Sequence, residues 1–148
     1  MKGFNFKLES VLKVKGLRED LAKVELAHLQ GEYRKEENFL QELQTSYENY
    51  QNQLQEKQQN LMTVQEITLY RSYFHKVSRD ITKQEKFLAD LEEQVNQQRK
   101  KLVESLREKK ILENLKEKKY LEFKKIILSK EQNFLDEIAS NNFTRPSG

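Results

Sequence analysis

The stretch LQEKQQNLMTVQEITLY, Leu54 to Tyr70, decides the fold, because helical spacing runs away from it in both directions while its centre carries a helix-start signal. Thr63-Val64-Gln65-Glu66 reads as a capping box, in which a threonine oxygen and a glutamate three residues on take up free N–H groups of a new helix. One helix is expected to end near Asn60 and a second to start at Thr63, although neither glycine nor proline marks the reversal.

Toward the N-terminus, Leu54, Tyr50, Tyr47, Leu43, Leu40, Glu36, Tyr33, Leu29, Leu26 and Ala22 fall on alternating steps of three and four. That is a coiled-coil seam, broken only by Glu36. In the other direction the same rule holds for Ile67, Tyr70, Phe74, Val77, Ile81, Gln84, Leu88, Leu91, Val95, Gln98 and Leu102, with two glutamines as exceptions. If the halves fold back on each other, facing residues must have numbers summing to one constant. Every pair from Leu54 with Tyr70 to Ala22 with Leu102 sums to 124. The prediction is an all-α fold, a single antiparallel coiled-coil hairpin over residues 1–140, with helix 1 at about 4–60 and helix 2 at about 63–140. Residues 141–148 are expected to be a disordered tail. In this register Glu36 faces Leu88, Gln84 faces Leu40 and Gln98 faces Leu26, which reads as a device for register or solubility.

Before Ala22 the apolar positions shift to Leu8, Val11, Leu12, Val14, Leu17, Leu21 and Val24, and after Leu102 to Leu106, Ile111, Leu112 and Leu115. Leu17 with Leu106 and Leu8 with Leu115 sum to 123, so a stutter in the coil is expected there. Partners on helix 1 run out opposite Lys119 to Leu121, and helix 2 overhangs by roughly 20 residues, or roughly 30 Å. Ile127, Leu128, Phe134, Leu135 and Ile138 on that overhang have no cover within the chain, and Phe4 and Phe6 at its base are also short of partners. Burying each such side chain is worth about 1.5–3 kcal/mol, which points to a partner protein; a frayed end or self-association is the plainer alternative.

The composition agrees with long helices. Of 148 residues 34% are charged, cysteine and tryptophan are absent, Pro146 is the one proline, and glycine stands only at positions 3, 16, 31 and 148. No apolar run is long enough to span a bilayer and no signal-peptide core follows Met1, so a soluble, intracellular chain is expected. Without cysteine, disulfide and thiol chemistry are excluded. The net charge of +3 is sorted along the chain: residues 24–66 hold eight acidic against three basic groups, and residues 99–130 twelve basic against five acidic.

Chemistry-bearing constellations are missing. His28 and Glu32 lie four apart, yet two ligands on one helix make no metal site, and His75 has no cysteine or second histidine nearby. There is no phosphate loop, nucleophile motif or paired acid, and two helices offer no concavity for a small-molecule substrate, so neither an enzyme nor a cofactor is expected. The stretch from Arg99 to Lys125 could meet phosphates, but acids recur among its lysines and its aromatics are few. A solvated face comes first as its reading, a docking face for an acidic protein next, and nucleic acid third.

Four patches together resemble the flagellar export protein FliJ family: Phe4-x-Phe6-x-Leu8-Glu9-x-Val11-Leu12; Met62 to Glu66 followed by Tyr70, Tyr73 and Phe74; Arg107-Glu108-Lys109-Lys110; and Glu131 with Leu135-Asp136-Glu137-x-Ala139. They occur in order across nearly the whole chain, with Asn60-Leu61-Met62 where members often carry glycine at the turn. The resemblance implies a non-enzymatic stalk of the flagellar type III export apparatus, similar in shape to the shaft of rotary ATPases. It also implies a cytoplasmic protein, held peripherally at the inner face of the cell membrane at the flagellar base. Its terminal end would seat in the export ATPase ring through Phe4, Phe6, Leu8, Leu12, Ile127, Phe134, Leu135, Asp136, Glu137 and Ile138. The other end, with Tyr70, Tyr73, Phe74 and Val77, would meet the cytoplasmic domain of the export gate; Tyr73, off the seam, is the freest of these for contact. Arg107, Lys109, Lys110, Lys118 and Lys119 would form a basic docking face, and export chaperones would be further partners. The corresponding stalk of a virulence-type injectisome, a generic coiled-coil scaffold and a nucleic-acid-binding coiled coil are the alternatives.

Overall fold

A computed structural model of the chain describes residues 3–144, which are all-helical apart from the start of the chain and one reversal. Helix α1 runs Glu9–Gln58 and helix α2 runs Val64–Thr144, and the two pack antiparallel as a hairpin. α1 starts five residues later than the sequence suggests. α2 continues through residues 141–144, the first half of the expected tail; residues 145–148 lie outside the described part.

The reversal works without glycine because no residue in it takes a positive φ. α1 closes with Gln59 N–H and Asn60 N–H donating to the carbonyls of Glu56 and Lys57, three residues back, at 3.3 and 3.0 Å. Thr63 then caps α2: its Oγ1 accepts from Glu66 N–H at 3.2 Å, and its carbonyl from Ile67 N–H at 3.1 Å.

Contacts group into two units, where the sequence suggests one hairpin. The first described here spans Leu21–Leu102 and contains the reversal. On its α1 side every seam position from Ala22 to Tyr47 is half-buried, and on its α2 side Val77, Leu88, Leu91 and Val95 are buried, Leu91 to 4% exposure. Close to the reversal the layers are aromatic. Tyr47 packs edge-on to Phe74 with centroids 5.2 Å apart, Tyr50 lies 3.9 Å from Tyr73, and Lys57 Nζ sits 5.4 Å from the Tyr70 ring centre.

The polar seam residues bond to one another and to the backbone. Gln84 Nε2 donates to Glu36 Oε2 at 2.7 Å and to the Glu36 carbonyl at 2.9 Å, and Gln98 Nε2 to the Ala22 carbonyl at 3.4 Å. These contacts and the ring pairs join residues whose numbers sum to between 120 and 123, up to one turn short of 124. The physical cause is twofold: a seam side chain enters a hole between successive layers, and a buried amide reaches for an acceptor sooner than face an alkyl chain.

The other unit joins the chain up to Asp20 with the chain from Val103. Here the expected stutter is absent. The steps of three and four continue through half-buried or buried Glu19, Lys15 and Leu12 on α1 and through Ser105, Lys109, Leu112 and Lys116 on α2. The seam therefore becomes ionic: Lys15 Nζ lies 2.6 Å from Glu108, Lys109 Nζ 2.8 Å from Glu19, and Lys116 Nζ 2.8 Å from Glu9. The apolar residues that suggested a shift, Val11, Val14, Leu17, Leu106 and Ile111, are exposed. Aliphatic rows can be left in water when neighbouring opposite charges, spaced at seam intervals, bring the helices together first.

Phe4 and Phe6 are not short of partners. Phe6 is buried to 7% exposure, and Phe4 packs against Tyr120 and Phe123 with centroids 5.4 and 5.6 Å apart. The segment before α1 thus folds down as an aromatic clasp. The hydrogen bond from Lys15 holds the Glu108 carboxyl below its ordinary pKa, and the bond to Glu19 holds the Lys109 ammonium above its own. A lowered acid stabilises above its unfolded pKa, and a raised base below its own. These pairs accordingly loosen on acidification through the carboxylate range or at pH above the ordinary lysine range.

Two outcomes check this fold. Cysteines at positions 47 and 74 crosslink within one chain through a short bis-maleimide at low protein concentration; a parallel dimer would give interchain product instead. Gln84→Leu costs about 1–3 kcal/mol in urea unfolding, because it leaves the Glu36 carboxylate in the seam without its donor. Glu36→Leu combined with Gln84→Leu returns stability to the parent value or above.

Candidate docking surfaces

Past the clasp, α2 is largely uncovered among the described residues. Ile127 is the last half-buried residue, and every side chain from Leu128 to Asn142 is exposed. Leu121, Leu128 and Leu135 repeat every seven residues, with Tyr120, Ile127 and Phe134 in the adjacent row and Ile138 one turn on. Phe134 is 62% exposed and Leu135 58%. A heptad-spaced apolar face on a helix suits knobs-into-holes docking against other helices. Asp136 accepts from Gln132 Nε2 at 3.1 Å, and with Glu137 it stands exposed beside that face.

Among the ten residues expected to contact a ring, this geometry separates two groups. Ile127, Phe134, Leu135, Asp136, Glu137 and Ile138 lie on or beside the uncovered stretch, and Leu8 is partly exposed. Phe6, Phe4 and Leu12 instead pack within the chain, Phe6 fully, so their first role is the clasp.

At the reversal a similar sorting occurs. Val77 is buried to 6% exposure and belongs to the core, which corrects its expected place on a contact surface. Tyr70, Tyr73 and Phe74 are half-buried. Tyr73 is not free, since it stacks on Tyr50; desolvation, followed by that neighbour, pushes its phenol pKa up. Leu61, Val64 and Leu69 are the most exposed apolar residues here, with Leu61 wholly open and the seam residue Ile67 also exposed at 42%. A groove of about 490 Å³ beside them is lined by Leu54, Leu61, Met62, Ile67, Tyr70 and Phe74. Sequence reasoning passed over Leu61, Val64 and Leu69, though each is a large apolar residue with no seam position to fill.

On the basic stretch, Arg107, Lys110, Lys118 and Lys119 are exposed, with Lys119 Nζ 3.7 Å from Glu122. Lys109 is spoken for by Glu19 and, at 3.8 Å, by Glu113, so it is a structural cation before it is a docking one. Among the described residues no three metal-ligating side chains gather, and His28 Nε2 meets Glu32 alone at 3.2 Å. Among the same residues no helix is long and apolar enough to cross a membrane.

A family model described as flagellar FliJ protein matches residues 4–148. No curated protein and no solved structure matches the chain. The match takes in both helices, the clasp, the reversal and the uncovered end of α2, and the chain belongs to the FliJ family of flagellar proteins.

Proposed function

We propose that the chain is a non-enzymatic stalk and adaptor of the flagellar protein export apparatus, and that the uncovered C-terminal stretch of α2 seats in the ring of the export ATPase. The observation that carries this reading is the run of exposure from Leu128 to Asn142 on a helix whose apolar residues keep a seven-residue repeat. Such a face loses water only against another protein, and an interface draws most of its energy from a few apolar anchors of this kind. Phe134, Leu135 and Ile138 are the anchors, with Ile127 where the cover ends; Asp136 and Glu137 set orientation against basic groups of the ring. At the reversal, Leu61, Val64 and Leu69 make the contact with the cytoplasmic domain of the export gate, and Tyr70, Tyr73 and Phe74 hold the platform behind them. Arg107, Lys110, Lys118 and Lys119 offer an acidic partner, such as an export chaperone, a docking face. These contacts hold the protein peripherally at the cytoplasmic side of the membrane at the flagellar base.

Deleting residues 132–148 removes no packed core and leaves unfolding free energy within about 0.5 kcal/mol of the parent, apart from end fraying. The same deletion abolishes binding to the export ATPase and stimulation of its hydrolysis. A truncated protein that stays folded and still stimulates fully would remove the proposed site. Leu135→Ala weakens ring binding more than charge reversal at Asp136 and Glu137 if apolar anchoring dominates. At the other end, Leu61→Ser with Val64→Ser leaves the melting temperature unchanged and lowers gate affinity, measured by titration calorimetry.

A further inference from the structure

The part of α1 that follows the clasp is attached to α2 differently from the rest of its seam. Glu9, Lys15 and Glu19 bind through charge to Lys116, Glu108 and Lys109. Those pairs differ in their access to water, with side-chain exposures of 39% at both Glu9 and Lys116, 21% and 55% at Lys15 and Glu108, and 31% and 6% at Lys109 and Glu19. Val11, Val14 and Leu17 of the same stretch are already exposed, so leaving α2 costs them little burial; the burial lost is that of Leu12 and, at the clasp, Phe6. Gly16 sits mid-helix, yet a Cβ built there meets nothing within 4 Å. Close packing therefore requires the glycine neither here nor at Gly31 in the apolar part of α1, so each weakens the helix locally and the ion-paired seam is what sets the arm apart.

We propose that residues 4–20 form a detachable arm, latched to α2 by ion pairs, whose release extends the uncovered apolar face of α2 back from Leu128 through Phe123 and Leu112. Phe123 and Leu112 are half-buried under the arm in the closed state. With the arm away, Leu112 and Phe123 add to the exposed apolar side chains of α2, with Lys116 and Lys119 standing between them. The arm regulates how much of α2 a partner can grip, which deepens the docking role proposed above; the latch itself exists in the chain alone. A partner bearing carboxylates opens it by replacing Glu9 and Glu19 at Lys116 and Lys109. Ionic strength loosens its ion-paired part, residues 9–20, without any partner, because partly exposed pairs are screened by salt while the apolar clasp of Phe4 and Phe6 is not.

Amide hydrogen exchange of the full chain, without the ATPase, tests the latch separately from the ring. Residues 10–20 exchange at least about tenfold faster than residues 26–47, as expected for a locally opening segment. Raising NaCl from about 0.05 to about 1 M, where screening reaches about 3 Å, accelerates the arm further and leaves residues 26–47 unchanged. Gly16→Ala slows arm exchange at both salt concentrations. Glu19→Leu with Lys109→Leu reduces the salt response by replacing one charge layer with an apolar one, leaving only the response of the Glu9–Lys116 and Lys15–Glu108 pairs. Equal protection of the two stretches, a salt-indifferent arm, or a double-leucine variant that keeps the parent salt response would each overturn the proposal.

Discussion

Two helices of one chain pack along their whole facing length only if their apolar residues keep the same spacing and the same parity. A one-residue slip turns every seam side chain aside. The stretch from Leu21 to Leu102 meets that constraint with leucine, valine, isoleucine and aromatic layers, and the rest of the structure depends on it. Gln84 sharpens it, since its side-chain acceptor, the Glu36 carboxylate, stands at one height only, whereas Gln98 bonds to a backbone carbonyl. A slipped register would leave a buried amide without a partner, at a larger cost than an aliphatic mismatch.

Seam composition then divides labour along the chain. Where layers are apolar the helices are held by loss of water, which is insensitive to salt. Where Lys15, Glu19, Glu108 and Lys109 replace those layers, the same spacing is kept by charges that respond to their surroundings. Beyond Ile127 α2 keeps the apolar repeat and loses the partner. In the proposed reading, stability resides in the first region, adjustability in the second and recognition in the third, so that one helix serves as both core and ligand.

Much of this was legible in the sequence where a side chain's position follows from periodicity. Seam residues from Ala22 to Leu102, the Thr63 cap and the uncovered Phe134, Leu135 and Ile138 all rest on spacing alone. Legibility failed where an apolar residue was taken as a seam residue by its hydrophobicity. Val14 and Leu17 are exposed while Glu19 is buried to 5% exposure, because an ion pair satisfied across the seam competes with an aliphatic layer. It failed again at Phe4 and Phe6, where a non-helical segment lies outside any helical repeat and its clasp on Tyr120 and Phe123 has no periodic signature. At the reversal, position on the seam identified Tyr70 and Phe74 but said nothing of Tyr73 turning onto Tyr50, a contact set by ring geometry.

The central claim is that the end of α2 is bare in the free protein and covered in its assembly. Nitroxide side chains placed singly at each position from 120 to 140 test this by their spectral mobility. In the isolated chain, motion should be restricted up to the clasp and uniformly fast from position 128 onward. On addition of the export ATPase, positions 128, 134, 135 and 138 should become immobile while 129 and 133, on the opposite face, stay fast. Restricted motion at 128–138 in the dilute isolated chain, or no change on adding the ATPase, would contradict the account.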